Sequence, residues 1–288
     1  MPALVKAKPI DPILRALQEQ ERVLRGEPAS QMPLWPDTVR AIPNEPARSS
    51  LFTVRRGTRR HMLDEVISVL GDGQITYRGE ELRTEDQDVW LCLIHMSRAA
   101  PVGEPVAFAP YALLKELQLP HNSKYYERLK TIISRLKATS VQITSNRLEE
   151  TVGISMIQEF NYSTVKGSKE QWKVWLSPKI LRLFSNEHFT RLHWNSRLKL
   201  TPVAKRLMDY FCSHKHPYPT KITALLTLVG SSATAMRTWR SMLRAALGEL
   251  VVAQVLLSFE ITANDMVVVK RNLSKPADTQ ALLTQQAS

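Results

Sequence analysis

The chain has 288 residues, 43% of them apolar, and a formal charge of +12. That apolar share can build real cores and excludes a mostly disordered chain. The excess of lysine and arginine favours nucleic acid or another anionic surface as a partner. Cys92 and Cys212 are the only cysteines, both in apolar helical context, so a disulfide framework is not expected and a reducing cytosol fits. No apolar run approaches the ~18 residues of a membrane span. The opening stretch MPALVKAKPIDP has no apolar core of signal-peptide length, so the expected location is cytoplasmic, with no membrane partner.

Residues 1–47 read as a Pro-rich, largely flexible arm. DPILRALQEQERVLRG can form a short helix, with Ile13, Leu14, Leu17 and Leu24 roughly on one side. Five prolines between Pro28 and Pro46 then remove backbone donors and disfavour helix before them. Residues 48–74 read as a basic linker, RSSLFTVRRGTRR, around one apolar pair, Leu51 and Phe52.

Regular structure is expected over 75–177. ITYRGEEL resembles a strand and turn, and Thr84 and Gln87 stand at capping-box spacing. The helix they open turns Val89, Trp90, Leu93 and Ile94 inward and is broken by APVGEPVAFAP. A second helix, YALLKELQL, stops at Pro120. HNSKYYERLKTIISRLK is the third, capped by Asn122 or Ser123. Leu129, Ile132, Ile133 and Leu136 share one face of it. The opposite face carries Lys124, Glu127, Arg128, Thr131, Ser134 and Arg135. SVQITS, VGISMIQEFNYS and QWKVWLS follow as β-like runs, with Lys166 and Lys169 in a hairpin loop. Three helices and then a hairpin is the order of a winged helix.

Residues 178–200 read as a helical connector, opened by Ser177 and Pro178. Over 201–273 the same grammar returns. Thr201-Pro202 starts a helix with Val203, Leu207, Tyr210 and Phe211 aligned. KITALLTLVG is a short helix, and ALLTLV at 224–229 matches the place of ALLKEL at 112–117. SSATAMRTWRSMLRAALGEL is a long helix, capped by Ser231 or Ser232. Ala235, Trp239, Met242, Leu243 and Ala246 are expected inward; Thr234, Arg237, Ser241 and Arg244 outward, with Arg240 on the flank. VVAQVLLSFEI and DMVVVKR close as a hairpin, and residues 274–288 read as a flexible tail. The expected fold class is therefore α+β: two tandem winged-helix domains with a flexible N-terminal arm.

In a helix-turn-helix the outward face of the last helix enters the major groove. Arginine and lysine pair with guanine, and serine and threonine bond phosphates or bases. Lys124, Arg128, Thr131, Arg135, Arg237, Arg240, Ser241 and Arg244 are the expected groove contacts, and Lys166 and Lys169 the expected backbone contacts. Two such helices on one chain suit neighbouring turns of one duplex, about 10–10.5 base pairs apart.

Several stretches carry a family resemblance: ARSSLF, ITYRGEELR, PVGEPVAF, ILRLFS, SRLKLTPVAKRLMDYFCSHKHPYP and a closing KRN. From about Pro43 to about Arg271 the sequence resembles the TrfA-type plasmid replication initiators of broad-host-range plasmids. The resemblance implies two winged helices that bind directly repeated sites, the iterons, at a plasmid origin. It implies opening of the adjacent AT-rich DNA, with single-stranded DNA as a further ligand. It also implies recruitment of the host initiator, replicative helicase and β sliding clamp, and leaves open a homodimer as the inactive form. The family's clamp-docking Leu-Phe motif falls on Leu51 and Phe52, with Arg48 where the usual pattern has glutamine. Two apolar side chains in a polar linker suit insertion into a pocket; the alternative is a linker that packs them on the nearest domain.

Cys212, His214 and His216 stand close together, but no fourth ligand lies at zinc-like spacing, so no metal is expected. No GxxxxGK[ST] loop is present, so ATP hydrolysis is not expected. Tyr125 and Tyr126 fall on or beside the core face of their helix, which argues against a nicking tyrosine. The expectation is a protein without catalytic residues or cofactor. The rival readings are a tandem winged-helix transcriptional repressor and a DNA-nicking enzyme.

Overall fold

The computed structural model describes residues 31–98, 101, 103–146, 148, 151–162, 171–184 and 188–273. The chain begins with β1 (Val39–Pro43), a one-turn helix α1 (Asn44–Ala47), β2 (Phe52–Thr53), β3 (His61–Ile67), β4 (Gln74–Glu80) and β5 (Leu82–Arg83). It continues with α2 (Thr84–Ser97), β6 (Val106–Phe108), α3 (Pro110–Glu116), α4 (Ser123–Lys137), β7 (Ser140–Thr144), β8 (Val152–Ile154), β9 (Glu159–Tyr162) and β10 (Trp172–Trp175). Between the halves lie α5 (Ile180–Leu183), β11 (Phe189–His193) and α6 (Trp194–Leu198). The second half runs α7 (Pro202–Cys212), β12 (Thr220–Lys221), α8 (Ile222–Leu228), α9 (Met236–Val252), β13 (Leu256–Ile261) and β14 (Met266–Arg271). The fold is mixed α/β.

Both halves share one path. α2, β6, α3, α4 and the β9–β10 pair are matched by α7, β12, α8, α9 and the β13–β14 pair. The strands are ordered β6-β10-β9 in one sheet and β12-β14-β13 in the other, so in each the last strand lies between the first and the second. Apolar spacing explains the helices. Leu129, Ile132, Ile133 and Leu136 of α4 are all buried, as are Val203, Leu207, Tyr210 and Phe211 of α7. On α9, Trp239, Leu243 and Ala246 are buried, whereas Ala235 and Met242 are exposed because the helix starts only at Met236 and presents a narrower apolar stripe.

The first half carries an addition. SVQITS does not join the β9–β10 pair. As β7 it pairs antiparallel with β4, Ile75 opposite Ile143 and Tyr77 opposite Val141, in a sheet ordered β3-β4-β7-β8. These four side chains are buried, and their alternation fixes the register.

Three expected connecting regions are built into the core instead. In the arm, Trp35 is buried, stacks on Phe184 at 5.9 Å and donates from Nε1 to His95 Nδ1 at 3.0 Å. β1 pairs antiparallel with β11, Val39 opposite His193 and Pro43 opposite Phe189. Val39, Ala41 and Ile42 lack side-chain exposure, so the prolines bound a strand and do not make this part of the arm free. In the expected linker, β2 pairs parallel with β5, and β3 pairs with β4. In the expected helical connector the central element is β11, flanked by the short α5 and α6.

The two halves meet at a buried ionic cluster. Arg206 and Asp209 stand on the inner face of α7 and Arg197 on α6, all fully buried. Asp209 accepts from Gln87 Nε2 of α2 at 2.8 Å, from Arg206 Nη1 at 2.5 Å and from Arg197. Arg197 Nε also reaches Asp88 of α2 at 3.0 Å, and Arg206 Nη2 donates to the Ser49 carbonyl at 2.6 Å. Buried charges cost desolvation and are tolerated only with this degree of pairing, so the cluster dictates one relative placement of α2 and α7.

Candidate nucleic-acid interface

α4 starts with the Asn122 side chain accepting from the Tyr125 amide at 3.2 Å, which satisfies one orphan donor of the first turn. With its apolar stripe buried, the helix presents Lys124, Glu127, Arg128, Thr131 and Ser134 to solvent. Thr131 turns its hydroxyl back to the Glu127 carbonyl at 3.0 Å. Arg128 is half-exposed and paired with Glu85 at the start of α2. Tyr125 and Tyr126 are partly buried against the core.

Arg135 is the correction on this helix. Its side chain is only 10% exposed and donates to Glu80 at 2.7 Å and to Asp86 at 2.6 Å. Asp86 is fully buried and accepts as well from Arg59 at 2.7 Å and from the Arg83 amide at 2.7 Å. Burial alone weakens the Arg135 charge, but Glu80 and Asp86 outweigh it and hold the guanidinium above its ordinary range. The residue ties α4 to α2 and β4 and does not present a free cation. Helical spacing put it outside; the carboxylates that claim it come from about fifty positions earlier.

On α9 the cations are freer. Arg237, Ser241 and Arg244 are exposed, and with Arg240 and Ala245 they border one shallow depression. Arg237 and Arg244 form no ion pair among the described residues. Arg240 pairs with Asp265, Nη2 to Oδ2 at 2.6 Å, on the turn between β13 and β14. Lys166 and Lys169 lie outside the described residues.

Leu51 and Phe52 are not exposed anchors in this conformation. They are 1% and 0% exposed, and the Phe52 ring lies 5.8 Å from that of Trp90 on α2. The segment is held from both sides. Val54 donates its amide to the Val229 carbonyl at the end of α8 at 2.9 Å, while β2 pairs with β5. A Cβ at Gly230 would meet Thr53 at 2.7 Å, and Gly230 has φ +59, so both space and backbone require glycine there. An apolar pair between polar neighbours reads as a linker motif only until a core is found to receive it.

Sequence reasoning missed the Arg206–Asp209 pair. It had a signal: Val203, Leu207 and Tyr210 define the inner face of α7, and position 206 falls on that face. A charge on an apolar stripe announces a buried partner.

A family model described as TrfA protein matches residues 27–271. The plasmid replication initiator protein TrfA of Escherichia coli is 36% identical over 220 residues, covering 75% of this chain and 58% of that protein. The chain thus spans less than two thirds of the length of that relative. Among solved structures, a selenomethionine derivative of domains 2 and 3 of RctB aligns with TM-score 0.54 at 14% identity, covering 77% of this chain and 95% of that one. RctB residues 155–483, domains 2-3, align with TM-score 0.51 at 14% identity over 76% and 92%. At such identity the likeness is one of fold.

Proposed function

We propose that this chain, which belongs to the TrfA protein family, is a plasmid replication initiator that grips origin DNA through two winged-helix units. The observation that carries the reading is the repeated path: helix, strand, two helices and a hairpin, twice, with the last strand central in each sheet. In each unit the helix before the hairpin buries an apolar stripe and turns basic or hydroxyl side chains outward. The buried ionic cluster between α2 and α7 supports a fixed spacing of the two helices. Two helices so held suit successive major grooves on one side of a duplex.

The iteron-binding, origin-opening and recruiting roles of such an initiator belong to the same proposal, as does the absence of any bond-breaking step by the chain itself. Lys124, Arg128 and Thr131 on α4 and Arg237, Arg240, Ser241 and Arg244 on α9 are its groove-facing residues. Recruitment of the β sliding clamp through Leu51 and Phe52 requires the seam around β2 to open, because both side chains are core in the closed form. Clamp capture with the amides of residues 49–54 still protected from hydrogen exchange would reject that route.

The test of the central reading is footprinting on the cognate origin, with titration at several salt concentrations. Two protected major-groove segments about one helical turn apart, and affinity that falls steeply with salt, are expected. Failure to protect any origin duplex overturns it. The same contacts would serve a tandem winged-helix repressor, and plasmid maintenance dependent on the chain separates the two.

A further inference from the structure

We infer that the loop at residues 54–60 is a third DNA contact, with Arg56 entering the minor groove that lies between the two groove-bound helices. The inference rests on the two-helix reading above and adds a residue that reading does not use.

The loop is tied at one end to the turn before α9 and at the other to an acid that pairs with α4. At one end, Arg55 Nε donates to the Gly230 carbonyl at 3.4 Å and Val54 to Val229, on the turn that leads from α8 to α9. At the other end, Arg59 donates to Glu85 at 2.5 Å, and Glu85 is also the partner of Arg128 on α4. One short loop thus touches the approach to α9 and the acids of α2, Glu85 and Asp86, that also hold the arginines of α4.

The loop is held in shape from below. Arg59 is partly buried and donates also to Asp86 at 2.7 Å and to the Glu81 carbonyl at 2.5 Å. Arg83 Nη2 donates to the carbonyls of Gly57 at 2.9 Å and Thr58 at 3.3 Å. Gly57, at φ +81, makes the tip, and nothing lies within 4 Å of where its Cβ would be. A tip that is open to solvent on a fixed base needs little ordering to bind.

The charges around the loop are mostly used. Arg55 pairs with Glu81 at 3.6 Å, Arg60 with Glu65 at 2.6 Å, and Arg59 with the acids already named. Arg56 is exposed and has no ion pair among the described residues. It is the cation at the tip that is left for a ligand.

Two helices in successive major grooves on one side of a duplex leave one minor groove between them facing the protein. Arginine favours a narrow minor groove because its negative potential is strongest there, above all in A·T-rich DNA. Removing one such contact lowers the salt slope of binding by about 1. At physiological salt that corresponds to about a fivefold loss of affinity.

The experiment is hydroxyl-radical footprinting and salt titration of the full chain on its origin duplex, wild type against Arg56→Ala. An exposed, unpaired residue leaves folding intact, and a melting curve checks this. The expected result is loss of protection in the central minor groove, with both major-groove segments retained and affinity reduced about fivefold. Unchanged central protection in Arg56→Ala, or no central protection in the wild type, overturns the inference while leaving the two-helix reading in place. A wild type that protects no duplex overturns both.

Discussion

α4 and α9 occupy equivalent places in two similar units, yet their arginines are spent differently. On α4, Arg135 is built into a carboxylate cluster and Arg128 is shared with Glu85. On α9, Arg237 and Arg244 face solvent with no ion pair among the described residues, and only Arg240 has a partner, Asp265. The first helix uses much of its charge to fix its own unit, while the second presents its charge to solvent. Position in a repeated fold therefore does not assign a residue its task; the acids contributed by neighbouring strands and helices do.

The sharpest way to break this comparison is to remove the acid that makes α4 different. Asp86→Ala strips a buried partner from both Arg59 and Arg135 and frees the Arg83 amide. Arg135 keeps Glu80 and Arg59 keeps Glu85, so the cost is that of buried donors left unsatisfied, about 1–3 kcal/mol, which thermal or denaturant unfolding should report. A melting curve like wild type would mean that α4 is not anchored there. On α9 the reverse holds. Arg237→Ala should cost about 1–3 kcal/mol in origin binding, if the side chain reads a base, while the unfolding curve stays put. A change in stability with no change in binding would reverse the roles assigned to the two helices.

Acid should strike the first unit through His95. Burial, with Arg40 and Arg98 nearby, pushes its imidazole down to about 3, against the attraction of Asp37. A neutral His95 accepts the Trp35 Nε1 hydrogen bond. The unfolded chain takes up a proton near pH 6.5 and the folded chain does not, so stability from this group is complete above about 6.5. It is lost progressively as pH falls towards about 3. His95→Gln should flatten that part of the stability-pH curve; an unaltered slope would remove His95 from the account. The smallest effect is expected from Glu85→Gln, which frees Arg128 from an exposed pair while Arg59 keeps Asp86 and the Glu81 carbonyl. Surface pairs are worth at most about 1 kcal/mol, so origin binding should tighten by no more than that at low salt. Weaker binding would show that Glu85 positions Arg128 for its ligand.

Local patterns were legible in the sequence. The cap at Asn122, the apolar stripe of α4 and the inner face of α7 follow from spacing within one helix. The repeated helix-helix-hairpin order was legible for the same reason. What escaped notice depends on distant pairing. β7 looks like half of a local hairpin until Ile75 and Tyr77 of β4 are found opposite it. Leu51 and Phe52 look like bait until Trp90 and the end of α8 enclose them. Arg56 could be seen as basic, but the anchoring of its loop to Glu85 and Gly230 arises only on folding.

The pairing of β1 with β11 has a consequence for biogenesis. A strand near residue 40 has to wait for one near residue 190 before its amides and carbonyls find their mates. Contacts so far apart in sequence form late, and a chain leaves the ribosome from its N-terminus onward. The first half is therefore held incomplete until most of the polypeptide has emerged. A product cut short before Phe189 lacks the strand that pairs with its own beginning.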